Sequence, residues 1–79
     1  MNTIQLNGAT ETLAVGTTVA DLVTATTGRE LLPTGQAADG GRLGVAVARN
    51  SSVVPRSQWA ATALEHHDEL EIVTAVQGG

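Results

Sequence analysis

The chain contains no cysteine and no lysine among its 79 residues. Without cysteine it forms neither a disulfide nor a thiolate metal site. Without lysine it offers no side-chain amine to which a carboxylate of its own could be joined, although an arginine-rich codon bias explains the same absence. The two histidines are adjacent, His66 and His67, and with no cysteine they favour a solvated turn over a structural metal site.

Aromatic residues are almost absent, since there is no Phe or Tyr and Trp59 is the only Trp. The apolar 42% of the chain is mostly Val, Leu, Ile and Ala, which is enough for the single core of a small domain. A lone Trp in such a core is interpreted as a packing anchor rather than a partner contact.

Basic residues are also few, and the net charge is −4. This balance argues against nucleic acid as a partner, because nucleic-acid binding needs a basic patch. It is compatible with basic protein partners, and equally with ordinary solubility. No signal segment and no apolar run of about 18 residues is visible, so the expected location is cytoplasmic, away from membranes.

Apolar and polar residues alternate in several segments, as is typical of strands, and one segment has apolar residues at helical spacing. Strands are predicted at residues 3–7, 10–14, 43–48, 53–54 and 70–76. Asn7-Gly8 predicts a hairpin between the first two strands. A helix is predicted to begin at Thr18, with Asp21 completing a capping box, and to end at Gly28. Its expected buried stripe is Val19, Leu22, Val23 and Thr26.

The order of these elements predicts an α+β fold of the β-grasp (ubiquitin-like) type. A mixed five-stranded sheet is covered by one main helix, with the first and last strands parallel at its centre. In the last strand, Leu70, Ile72, Thr74 and Val76 are expected on the core face. Residues 1–75 are taken as the domain, with a flexible loop at 29–42 in which residues 31–33 form a turn packed on the core.

The final residues, 76–79, are expected to form a mobile tail that ends in Gly78-Gly79. Glycine lacks a Cβ, so its backbone passes through narrow channels. Two glycines followed by a carboxylate suit a slim arm that delivers this carboxylate into the active site of another protein. No nucleophile–base pair, carboxylate pair or phosphate-binding loop is present, so the chain is interpreted as a protein co-substrate rather than an enzyme.

Two segments carry a resemblance to a known family. Residues 53–59, VVPRSQW, and residues 69–79, ELEIVTAVQGG, resemble the sulfur carriers of thiamine biosynthesis, the ThiS type. The resemblance covers nearly the whole chain except residues 29–42. Two departures stand out: that loop is longer than usual, and residues 66–69 read HHDE where the family tends to have Gly-Asp.

The resemblance implies a chemistry for the tail. The Gly79 carboxylate would be adenylated by a ubiquitin-activating-like enzyme that uses ATP, and no cofactor would be bound by the chain itself. Sulfur from a persulfide donor such as cysteine desulfurase would then give a thiocarboxylate, and thiazole synthase would receive that sulfur. Gly78 would serve as the spacer that lets the end enter the partner.

Docking residues are expected on an apolar sheet face beside the tail, because β-grasp carriers usually dock there. The candidate partner-binding residues are Val54, Arg56, Val73, Ala75, Val76 and Gln77. Arg56 has two interpretations, an ion pair with an acidic partner or hydrogen bonds to carbonyls of its own chain. Two other functions stay open: the small subunit of molybdopterin synthase and a ubiquitin-like protein modifier.

Overall fold

The structure, a computed structural model, describes residues 1–41 and 44–74. Its five strands form one sheet in the order β2-β1-β5-β3-β4. Their bounds are β1 (Asn2–Leu6), β2 (Ala9–Leu13), β3 (Val45–Arg49), β4 (Ser52–Val53) and β5 (Glu69–Thr74). The neighbours β1 and β5 are parallel and the other pairs are antiparallel. The predicted α+β, β-grasp architecture is confirmed.

The first hairpin forms where the sequence predicted it. Asn7 and Gly8 have φ angles of 50° and 84°, the left-handed values that a two-residue hairpin turn requires. Its strands pair from Asn2 opposite Leu13 to Leu6 opposite Ala9. Both strands begin and end one residue earlier than predicted, which leaves the alternation of faces unchanged.

The main helix, α1 (Val19–Thr27), covers one face of the sheet. Thr18 Oγ1 accepts from the Asp21 N–H at 3.1 Å, and Asp21 Oδ2 accepts from the Thr18 N–H at 3.0 Å. This capping box satisfies two donors that a helix start leaves unpaired. Gly28 ends the helix in the left-handed conformation. The prediction of a buried Thr26 was wrong, because Thr26 lies on the exposed side.

The second half of the chain builds the rest of the sheet. Asn50 and Ser51, with φ angles of 50° and 71°, turn β3 into β4, and a 3-10 helix (Arg56–Ala61) follows. Leu43, Ala75 and Val76, which the sequence assigned to strands, lie outside the described residues. Thr74 lies on the core face as predicted, since it is opposite the buried Val45. It is nevertheless exposed, at the end of β5.

The core lies between the sheet and the helices. Trp59 is its largest fully buried side chain and donates Nε1–H to the Val54 carbonyl at 2.9 Å. The interpretation of Trp59 as a packing anchor is confirmed. The other buried apolar residues are Ile4, Val19, Leu22, Val23, Ala37, Val45, Val47, Leu64, Leu70 and Ile72. No helix in the described part of the chain is long and apolar enough to span a membrane.

Part of the segment assigned to a flexible loop is hydrogen-bonded. Ala38 N–H donates to the Glu30 carbonyl and Leu32 N–H to the Gln36 carbonyl, both at 2.8 Å. Leu31 packs against the core, as expected, and Ala37 is buried. Leu32 is 43% exposed, so it does not join the core as the predicted turn required. We call residues 30–38 the loop hairpin.

Gly35, at the tip of the loop hairpin, has no room for a side chain. Its φ is 86°, and a Cβ there would collide with the Arg56 carbonyl group. We expect Gly35→Ala to lower the free energy of unfolding by about 2 kcal/mol, from left-handed strain plus the collision. Gly40→Ala is the matched control, since Gly40 has φ 76° and open space around it. Urea unfolding followed by Trp59 fluorescence measures both, and equal losses would contradict the predicted contact.

Candidate functional site: the base of the tail and the open sheet face

The strand that precedes the tail is held on both sides. β5 pairs with β1 through Gln5 and Leu6, opposite Glu69 and Leu70. On its other side it pairs with β3 along its length, from Leu70 opposite Arg49 to Thr74 opposite Val45. Ala75 and the predicted tail, Val76, Gln77, Gly78 and Gly79, lie outside the described residues. The chain that leads to them therefore comes from a central strand.

Asn7 extends the contact of β1 with β5 beyond the end of β1. Its side-chain Oδ1 accepts from the Ile72 N–H at 2.9 Å, and its Nδ2 donates to the Ile72 carbonyl at 3.1 Å. The amide group thus replaces a strand residue at this position. The sequence showed Asn7 only as a turn residue, because the turn signal does not reveal a contact 65 positions away.

Asp68 organises the other end of β5. It is buried, with 5% of its surface exposed. Its carboxylate accepts from Arg49 Nε at 2.8 Å, from the Glu65 N–H at 2.8 Å and from Asn50 Nδ2 at 3.1 Å. Asn50 Oδ1 in turn accepts from the Glu69 N–H. The cluster joins the β3–β4 turn to the turn before β5, and the sequence had assigned Asp68 only to a polar turn.

Two opposing influences act on the pKa of Asp68. Burial alone would raise it, but the hydrogen bonds from Arg49, the Glu65 N–H and Asn50, together with the charge of Arg49, hold the pKa below its usual value. The folded protein therefore favours the ionised carboxylate. Its contribution to stability is complete above the unfolded-state pKa and is lost as the pH falls through the folded-state value.

The sheet face turned away from α1 is uncovered by any described element. Residues that are directly opposed in neighbouring strands point to the same face. The register pairs Ala46 with Val73, Ala48 with Glu71 and Ala48 with Val53. Val53 and Val73 are 77% and 60% exposed. We call the surface of these residues and Glu69 the open face: Ala46, Ala48, Val53, Glu69, Glu71 and Val73.

The predicted docking residues do not all share this face. Val73 belongs to the open face and lies one residue before the end of β5. Val54 is half-buried and packs against the core, and its neighbour Val53 is the exposed valine. Arg56 is also half-buried, and its Nη2 donates to the Val45 carbonyl at 3.4 Å. The structure thus contains the bond to a local carbonyl, which was one of its two interpretations.

The adjacent histidines lie on the exposed turn before β5. His66 Nδ1 accepts a hydrogen bond from the Thr3 N–H at 2.9 Å, and the His67 N–H donates to the Thr3 carbonyl at 2.8 Å. Both hydrogen bonds attach this turn to the backbone of β1. Within residues 1–41 and 44–74 no group of three or more His, Cys, Asp or Glu residues is arranged to hold a metal ion.

Comparisons with known proteins agree with this geometry. The family model described as the ThiS family matches residues 4–79. A crystal structure of the thiamine biosynthesis protein ThiS from Geobacter metallireducens has a similar fold, with a TM-score of 0.66 and 24% sequence identity. That match covers 98% of this chain and 99% of the other. No curated protein matches significantly. Because the family match spans almost the whole sequence, the chain belongs to the ThiS family of sulfur carriers in thiamine biosynthesis, which have a ubiquitin-like β-grasp fold.

Proposed function

We propose that the chain carries sulfur for the thiazole ring of thiamine on the carboxyl group of Gly79. The observation that carries this proposal is the family match, which runs through β5 and reaches Gly79. The central position of β5 supports it, because the start of this strand is paired with β1 and β3 and its end with β3, which anchors the residues that follow.

The proposed chemistry follows from the state of the reacting group. A terminal carboxylate has a pKa of about 3.3–3.7 and is ionised at neutral pH, which makes it a poor electrophile. A partner enzyme would use ATP to convert it into an acyl adenylate, with loss of pyrophosphate. The terminal sulfur of a persulfide would then displace AMP and form an acyl disulfide. A thiol would reduce its S–S bond, which releases a disulfide and leaves a thiocarboxylate that thiazole synthase would consume.

The experiment is intact mass spectrometry of the full chain. The chain is incubated with ATP, the adenylating enzyme, a persulfide source such as a cysteine desulfurase with cysteine, and a thiol reductant. We expect a mass gain equal to the replacement of one oxygen by sulfur, dependent on ATP. A chain that keeps its original mass under conditions in which the enzyme forms an adenylate on a known carrier would refute the proposal.

We propose that the open face is where the adenylating enzyme docks. Exposed Val53 and Val73 and small Ala46 and Ala48 provide apolar area, and Glu69 and Glu71 add negative charge. A partner surface with apolar and basic groups would complement this face. Val73 is the central element of the proposal because it lies closest to the tail.

Val73→Asp tests this docking surface. An unpaired third carboxylate on the open face would have to be desolvated on binding, so we expect about a tenfold rise in the KM for the carrier, equivalent to about 1.4 kcal/mol. Val15→Asp is the matched control, because Val15 is 75% exposed and lies in the turn before α1. Steady-state adenylation assays measure both variants. An unchanged KM for Val73→Asp would place the docking surface elsewhere.

A further inference from the structure

The end of β5 depends on β3 alone among the described strands. Strand β1 reaches only Leu70 in its pairing, and the Asn7 side chain extends that contact only to Ile72. Thr74, the last described residue before the tail, has Val45 of β3 as its strand partner. Whatever fixes Val45 therefore also limits the movement of the strand end that leads into residues 75–79.

Strand β4 covers the outer edge of β3 only at its C-terminal end, so Val45 at the start of β3 has no strand partner on that edge within the part of the chain that the structure describes. Strand β4 pairs with Ala48 and Arg49 only, and the Val54 N–H then donates to the Val47 carbonyl at 2.8 Å. At Val45 the guanidinium of Arg56 takes over, since its Nη2 donates to the Val45 carbonyl. The Arg56 side chain thus continues the edge of the sheet where β4 has ended.

Arg56 contacts Trp59 through its side chain and Gly35 through its backbone. Its guanidinium carbon lies 5.6 Å from the centre of the Trp59 ring, within the range of a cation–π contact. Trp59 is fully buried and hydrogen-bonded to Val54, so this ring is a fixed support. The backbone of Gly35 in the loop hairpin lies close to the backbone carbonyl of Arg56, since a Cβ at Gly35 would collide with that group.

We infer that Arg56 is a positioning residue for the tail: by bonding to Val45 it steadies the β3 end that pairs with Thr74. The inference rests on the proposed function, because a tail that enters a partner's active site benefits from a fixed position of the strand end before it. A steady strand end lowers the entropy lost when the tail enters a partner channel. The loop hairpin contributes through its contact with Arg56.

The test compares Arg56→Gln, Arg56→Lys and the control Arg29→Gln. Arg29 forms an ion pair with Asp39, at 3.1 Å, and the two residues directly flank the loop hairpin. We expect the ¹⁵N order parameters of Val73 and Thr74 to fall from about 0.85 to about 0.6 in Arg56→Gln. We expect kcat/KM for thiocarboxylate formation to fall about tenfold, with Arg56→Lys intermediate and Arg29→Gln unchanged.

These readouts separate positioning from a general loss of stability. Order parameters are measured at a temperature where each variant is fully folded, so destabilisation alone leaves them unchanged. Order parameters equal to those of the unmodified chain, or a fall in order with unchanged kcat/KM, would overturn the inference. A fall in kcat/KM with unchanged order would also overturn it, since Arg56 would then contact the partner directly. If the unmodified chain takes up no sulfur, the proposed function fails, and the order parameters alone decide whether Arg56 steadies the strand end.

Discussion

Gly79→Ala is expected to lower the rate of thiocarboxylate formation by about 100-fold while the fold and its stability stay unchanged. The substitution adds one methyl group to the residue that carries the reacting carboxylate. In a partner channel shaped for glycine, that Cβ would displace the carboxylate by about 1 Å from the position it needs, and displacements of this size cost about two orders of magnitude in rate.

The measurement is a time course by intact mass spectrometry, with urea unfolding as the check on stability. Gly16→Ala is the matched control, because it makes the same chemical change in a turn with open space around it. The control should load at the normal rate although its φ of 94° makes it less stable. Normal loading of Gly79→Ala would contradict a partner channel that admits only glycine at the terminal position.

Asp68→Ala is expected to cause a large loss of stability, about 3 kcal/mol. It leaves the Glu65 N–H and the Asn50 amide without their acceptor and removes the closer of the two ion-pair partners of Arg49. The estimate takes the low end of the range for broken buried pairs, because the Arg49 side chain is 26% exposed and can regain some water. For a domain of this size, 3 kcal/mol is a large share of the total.

Asp39→Ala is the matched control for Asp68→Ala. Asp39 also accepts from an arginine, Arg29, and from a backbone N–H, that of Gly41. Its side chain is 67% exposed, so water can replace both bonds. Its removal should change the free energy of unfolding far less than the removal of Asp68 does. Equal effects of the two substitutions in urea unfolding would contradict the role given to the buried cluster.

Acid unfolding gives a second measurement of the same cluster. Since the folded-state pKa of Asp68 is lowered, the unmodified chain should lose this contribution as the pH falls from about 5 towards the folded-state pKa. Asp68→Asn has no such proton to bind. The difference in stability between the two chains should therefore shrink with acidification. A difference that stays constant down to pH of about 2 would argue that Asp68 titrates normally.

Local patterns in the sequence predicted most of the architecture. Alternation placed β1, β2 and β5 within one or two residues, and the Thr18–Asp21 spacing predicted the capping box that the structure contains. These signals depend on neighbours along the chain. Helical spacing wrongly predicted that Thr26 is buried. Thr26 lies in the last turn of α1 and is exposed.

The contacts that build the candidate site could not be predicted in this way. Asp68 meets Arg49 and Asn50 across 19 and 18 positions, and Asn7 meets Ile72 across 65. Nothing in the immediate neighbours of these residues marks them as partners. The VVPRSQW segment indicated the family, but it did not reveal that Arg56 bonds to the first residue of β3.

The central claim is that this chain donates sulfur to thiazole formation. The most direct test is to purify the thiocarboxylate form and incubate it with thiazole synthase and its other substrates. Intact mass spectrometry should show the chain returning to its carboxylate mass as thiazole product accumulates in equal amount. A thiocarboxylate that stays intact with thiazole synthase, yet is consumed by the large subunit of molybdopterin synthase, would contradict the account.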